Sequence, residues 1–180
     1  MTKETKTEKQ LIKDENMLSV KQQDNDTKSK ALHTPSPCLH WEDRIFEEKD
    51  QNDEFWIMMG PFFGNRSVRK ELPYIMNQPG QTWFVICENK TVIGFVSGLL
   101  RKDYWYLDNI YVIPEYRHQN LLSRLIMRFM TYYAHQDPTK MVRLETQNPI
   151  IRDYFLKHAF TQYKPGKSWN FLEGAIFGVE

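Results

Sequence analysis

Leu107-Asp108-Asn109-Ile110-Tyr111-Val112-Ile113-Pro114-Glu115-Tyr116-Arg117-His118-Gln119-Asn120 leads a β-rich stretch through a short polar loop into an amphipathic helix. Beyond it, Leu121, Leu122, Leu125, Ile126, Phe129, Met130 and Tyr133 recur at the i, i+3/i+4 spacing of one helical face, with Arg124 and Arg128 on the other. A strand that feeds a helix in this way makes an anion site. The first helical turn leaves backbone N–H groups unpaired and the dipole adds about half a positive charge, so phosphate is favoured near residues 118–123. Arg117 and His118 add side-chain donors. The plainer alternative is a strand and a helix that pack together and bind nothing.

Working outward, Trp83-Phe84-Val85-Ile86-Cys87 and Thr91-Val92-Ile93-Gly94-Phe95-Val96 are β-rich runs separated by Glu88-Asn89-Lys90, which predicts a hairpin. Residues 104–113 form a third run ending at Pro114, and residues 140–146 a fourth. Asn148 as cap and Pro149 at the first helical position open a second helix that is expected to bury Ile150, Ile151, Tyr154, Phe155 and Ala159. Two short strands are expected near 169–172 and 174–177. Upstream, Phe55-Trp56-Ile57-Met58-Met59, stopped by Gly60-Pro61, reads as a first strand, and Ser67, four residues before Glu71, suggests a short helix that Pro73 ends. Alternating strand and helix signals make this a mixed α/β (α+β) chain.

No aromatic residue precedes Trp41. Residues 1–40 hold few apolar residues among Lys, Thr, Gln, Asp and Glu, so they are expected to form a disordered or loosely tethered tail, with residues 41–180 as the single folded domain. Leu11-Ile12 and Met17-Leu18-Val20 could instead make a short partner-docking helix. Lys and Arg number 24 against 23 Asp and Glu, a net charge of +1 that gives no global field to hold a polyanion or a bilayer. Neither an apolar signal region nor a run near the ~18 residues of a membrane span is present, and two cysteines make no disulfide framework. A cytoplasmic setting with no membrane partner is expected.

Val112, Pro114, Tyr116 and Arg117 match a V-x-P-x-Y-R loop, and in this the chain resembles the GNAT superfamily of acyl-CoA-dependent N-acyltransferases. The order of elements over about residues 55–180 is also similar to that family, as are Asn148 and the Ala159-Phe160 ending of the second helix. The resemblance implies a central, mostly antiparallel mixed sheet flanked by helices. It also implies acetyl-CoA or another acyl-CoA as co-substrate, held by Ile110, Val112, Arg117, His118, Gln119, Asn120, Leu121, Leu122, Ser123 and Asn148. The family loop R/Q-x-x-G-x-G/A falls on Arg117-His118-Gln119-Asn120-Leu121-Leu122, where both glycines are replaced. Asn120 tolerates a left-handed backbone; Leu122 crowds the cofactor, redirects its pyrophosphate, or turns into the core.

Attack of an amine on a thioester needs a neutral amine, a polarised carbonyl and a proton for the leaving thiolate. The resemblance puts the carbonyl donor on the backbone around Ile110 and Val112, where the family's central strand bulges. Asp108, read as in phase with those residues, and Glu145 on the next strand are candidate bases; the plainer role of either is an ion pair with Arg101, Lys102 or Arg143. The family's helical tyrosine acid falls on Phe155, which donates nothing, so Tyr154, about 100° around the helix, is the candidate substitute unless it is simply a core-facing aromatic. His33, Cys38 and His40 have the wrong spacing for zinc, and no metal is expected. Ser123 is read as lining the loop, since no Gly-x-Ser-x-Gly elbow surrounds it. The expected function is transfer of an acyl group to an amine on a small molecule or protein. The alternatives are a binding module that has lost turnover, and modification of a nucleobase or nucleic-acid-linked amine, for which Arg124 and Arg128 are the basic face.

Overall fold

The computed structural model describes residues 41–176. Within them a seven-stranded sheet runs in the order β1-β2-β3-β4-β5-β7-β6. Its strands are β1 (Trp41–Phe46), β2 (Thr82–Glu88), β3 (Thr91–Arg101), β4 (Tyr104–Val112), β5 (Met141–Thr146), β6 (Thr161–Lys164) and β7 (Asn170–Ala175). Four helices join them: α1 (Asp53–Gly64), α2 (Arg66–Glu71), α3 (Leu121–Gln136) and α4 (Pro149–Lys157). Every neighbouring pair is antiparallel except β4 and β5, and that one parallel pair requires the crossover that α3 supplies. The mixed α/β class expected from the sequence is the fold observed. No described helix is long and apolar enough to cross a membrane.

Strand alternation divides the core into two faces. Phe84, Ile86, Leu107 and Leu144 pack with Leu125, Phe129 and Tyr133 of α3 and Phe155 of α4. Trp83, Val85 and Phe95 pack on the other face with Phe55 and Met59 of α1 and Val68 of α2. Asn52, Asn65 and Asn148 each accept two first-turn N–H groups, which starts α1, α2 and α4.

Several sequence expectations change. Residues 55–59 are helical, because Asn52 caps them and Phe55 and Met59, one turn apart, both reach the core. A short apolar run has no period that separates a strand from a buried helix. The first strand is instead Trp41–Phe46, whose charges concealed it: Asp43 pairs with Arg124 and Arg128, and Arg44 with Glu42 and Glu54. The cap of α2 is Asn65, and the Ser67 N–H donates to it. Ile150 is exposed, as is Ala159, which has φ 61° just past the end of α4. The C-terminal expectation of two strands becomes the single strand β7, paired with the unforeseen β6. His33, Cys38, His40 and the expected tail lie outside the described residues.

Strand β4 breaks its own alternation. Ser97 faces Asn109 and Gly98 faces Leu107, so Asp108 has no partner on β3 and forms a bulge. Core membership records the same switch, since Leu107 belongs to one face and Tyr111 to the other although both are odd-numbered. The bulge therefore lies at Asp108, before Ile110 and Val112, and simple phase with those residues does not describe the aspartate. Gly98 makes room opposite, where a Cβ would stand 2.3 Å from Phe129 and 2.8 Å from the Tyr106 carbonyl oxygen.

Candidate active site

Strands β4 and β5 stay paired only from Tyr104↔Met141 to Leu107↔Leu144 and then separate. Two cavities occupy the opening. One, of about 380 Å³, follows Ile110 and Val112 into the loop and the start of α3. The other, of about 560 Å³, is walled by Asp108, Glu145 and Tyr106 of the strands and by the segment after α2. They share Glu71, Ile110, Asn148 and Ile151, so they adjoin across the splay.

The smaller cavity presents backbone donors that have no partner among the described residues. Ile113 N–H bonds Ile93 on β3 (3.0 Å) and Asn109 N–H meets Ser97 Oγ (3.3 Å), so strand alternation turns the N–H groups of Ile110 and Val112 toward the β5 side. There β5 has already departed. At the helix, Asn120 takes a left-handed conformation (φ 60°, ψ 12°), as sequence reasoning anticipated, and its side chain makes no cap bond. α3 thus differs from the three helices whose asparagines cap them. Its first-turn amides face an opening lined by His118, Leu121, Leu122 and Ser123. All the residues expected to hold acyl-CoA line this cavity except Gln119, which instead donates to the Glu115 carbonyl (3.5 Å). Leu122 is half-buried and also packs on the core.

Arg117 has partners of its own. Nε donates to the Val112 carbonyl (2.9 Å), and one terminal nitrogen reaches both oxygens of Glu71 at the end of α2 (2.9 and 2.7 Å). Arg124 and Arg128, the proposed basic face, are both engaged by Asp43. That pairing offsets part of the positive charge on which the nucleic-acid alternative rested, and the fold does not favour that alternative.

In the larger cavity Asp108 is the focus of a polar network. Its Oδ2 accepts from Gln78 Nε2 (2.8 Å), Gln81 Nε2 (2.9 Å) and Asn109 Nδ2 (3.1 Å). Gln81 is fully buried and also donates to Ser97 (2.7 Å), which ties the segment before β2 to the bulge. Burial pushes the Asp108 pKa above the usual aspartate value, although the amide donors and Arg101 pull it down. Glu145 is exposed on the same wall. Tyr154 lines neither cavity; it packs on the core and stacks on His158 at 4.3 Å. Sequence reasoning named Arg101 only as a possible ion-pair partner of Asp108 or Glu145, and it missed the site positions of Glu71, Gln78 and Gln81, whose relevance comes from folding distant segments together and leaves no local signal. Among the described residues no cluster of His, Cys, Asp or Glu could hold a metal ion.

Solved structures share this overall fold. An acyl-CoA N-acyltransferase from Pseudomonas aeruginosa aligns with a TM-score of 0.65 at 11% identity, over 76% of this chain and 100% of that one. ElaA from Escherichia coli gives 0.62 at 13% identity, over 74% and 99%. PaiA N-acetyltransferase from Thermoplasma acidophilum, in complex with coenzyme A, gives 0.53 at 14% identity, over 76% and 99%. The profile of the acetyltransferase (GNAT) family matches residues 37–160, and the chain belongs to that family. Among curated proteins none matches it by sequence.

Proposed function

We propose that the protein transfers an acyl group, most simply acetyl, from acyl-CoA to an amine by direct attack. The observation that carries this reading is the adjacency of two unlike cavities across the β4–β5 splay, one with unpaired backbone donors and one with a desolvated carboxylate. The uncapped amides of α3 suit a pyrophosphate, which takes N–H groups and a positive dipole end together. Acyl-CoA supplies the activated carbonyl. One backbone N–H, that of Ile110 or of Val112, is then the donor for the carbonyl oxygen, and it needs no reorganisation as charge grows on that oxygen. Asp108 accepts the proton of the acceptor amine, and Asn148 and Ile151 line the junction where the two substrates meet.

The test pairs calorimetric titration of acetyl-CoA with thiol release across a panel of amines. Binding with amine-dependent release is the expected result. Binding without release by any amine would favour a module that has kept the scaffold and lost turnover.

A further inference from the structure

The wall of the larger cavity carries one guanidinium, and its situation restricts the acceptor. Arg101 ends β3, is exposed, and forms no ion pair among the described residues. It is nevertheless held in place. Its guanidinium lies over the Tyr106 ring, 4.4 Å from the centroid, and donates to Gln78 Oε1 (3.2 Å). The same Gln78 donates through Nε2 to Asp108 Oδ2 (2.8 Å). A single carboxamide therefore separates the candidate base from an unneutralised cation. All the donors to Asp108 converge on Oδ2, so Oδ1 accepts from none of the described residues.

A ligand that satisfies both groups carries an ammonium and an anionic group only a few atoms apart. A polyamine would set a second cation against Arg101, and a lysine side chain in a protein offers that arginine nothing. A carboxylate fits a guanidinium through charge-assisted hydrogen bonds. Glu145, the other carboxylate on this wall with no ion pair among the described residues, is exposed like Arg101, so solvent screens both and an anion gains from direct contact with the guanidinium rather than from the field of the wall. The remaining wall includes Tyr74, Met76 and Trp169; Tyr74 and Met76 are exposed, and the Tyr74 and Trp169 rings lie 6.2 Å apart. These suit an apolar substituent.

Resting on the acyltransferase reading above, we propose that the acceptor is an amino carboxylate, of which a free α-amino acid with an apolar side chain is the plainest case, its ammonium at Asp108 and its carboxylate at Arg101. In the transfer, the ammonium gives a proton to Asp108. A bond forms from nitrogen to the acyl carbon, and the carbon–sulfur bond breaks with its electron pair passing to sulfur. A second proton leaves the nitrogen and balances the thiolate, and the product amide keeps its carboxylate on Arg101.

The experiment uses phenylalanine, phenylalanine amide and phenethylamine as probes. Each is titrated calorimetrically into the full chain saturated with coenzyme A, and each is assayed for thiol release with acetyl-CoA. Phenylalanine should bind about tenfold to a hundredfold more tightly than the two probes without a carboxylate, the range a charge-assisted contact supplies. It should lead in kcat/KM as well. Arg101→Gln should bring the binding ratio toward one, and Arg101→Lys, which keeps the charge, should restore part of it. Equal binding of the three probes to the wild type, or a ratio unmoved by Arg101→Gln, overturns the inference. Should Arg101→Gln fail to fold, the wild-type ratio decides alone. Acetylation of phenethylamine with phenylalanine refused would reject the amino carboxylate and leave the acyltransferase reading standing. Absence of thiol release with every amine would reject both.

Discussion

Asp108 combines two demands that usually conflict. Its bulge position removes it from the sheet ladder, and its surroundings take it partly out of water, yet three side-chain amides hold one oxygen in place. A carboxylate whose folded pKa is raised stabilises the fold below the pKa of an unfolded aspartate and loses that contribution as pH rises through the higher folded value. At neutral pH the charged form is therefore a cost. Asp108→Asn should lower kcat by about 10²–10⁴ while melting no lower than wild type at pH 7, because asparagine keeps an acceptor oxygen and sheds the buried charge. Before substitution, kcat/KM should rise with pH through the raised pKa of Asp108. Glu145→Gln in the same assay separates the two candidate bases, and loss confined to Asp108→Asn assigns the role.

Between elements, the ion pair of Arg117 with Glu71 links the loop before α3 to the end of α2, and both residues line the smaller cavity. A phosphate there would compete with Glu71 for the guanidinium. Arg117→Ala should weaken acetyl-CoA binding by about 1.5–3 kcal/mol, and Glu71→Gln should strengthen it by freeing the arginine. Titration of both variants gives opposite signs if the competition is real; weakening in both would mean that Glu71 holds the arginine in its binding position, and unchanged affinity of Arg117→Ala would remove Arg117 from the site. Leu122, where glycine or alanine was expected, is half-buried against the core. Its replacement by glycine should cost about 1–2 kcal/mol, from helix propensity and lost burial together, as read from thermal melts. A gain in acetyl-CoA affinity in that variant would show that the leucine also crowds the cavity.

Across the molecule, the bulge depends on packing from the far side of the sheet. Gly98→Ala would drive a methyl group into Phe129 and the Tyr106 carbonyl, so a loss of about 1–3 kcal/mol is expected, with activity falling as the bulge shifts. An unchanged melting temperature would mean that the Phe129 ring yields. No aromatic residue and few apolar ones precede Trp41. A chain beginning near Leu39 should accordingly melt within about two degrees of the full chain, and a larger drop would reveal a contribution from residues 1–38.

What the sequence by itself determined are the features written in neighbouring residues. They are the β2–β3 hairpin, the β4–loop–α3 unit, Asn148 and Pro149 at the head of α4, and the left-handed Asn120. Turn chemistry, capping and helical period act within a few positions, so one segment suffices to reveal them. Tertiary structure alone decided that the charged β1 is a strand, that residues 55–59 are a helix, and that β4 bulges at Asp108. It also decided which polar groups meet: Gln78 and Gln81 reach Asp108 across 30 and 27 residues, and Arg124 reaches Asp43 across 81. Such pairs obey no period along the chain. They exist because a partly desolvated carboxylate must find donors and an edge strand's charges must find partners, and only the folded chain brings those distant residues within reach.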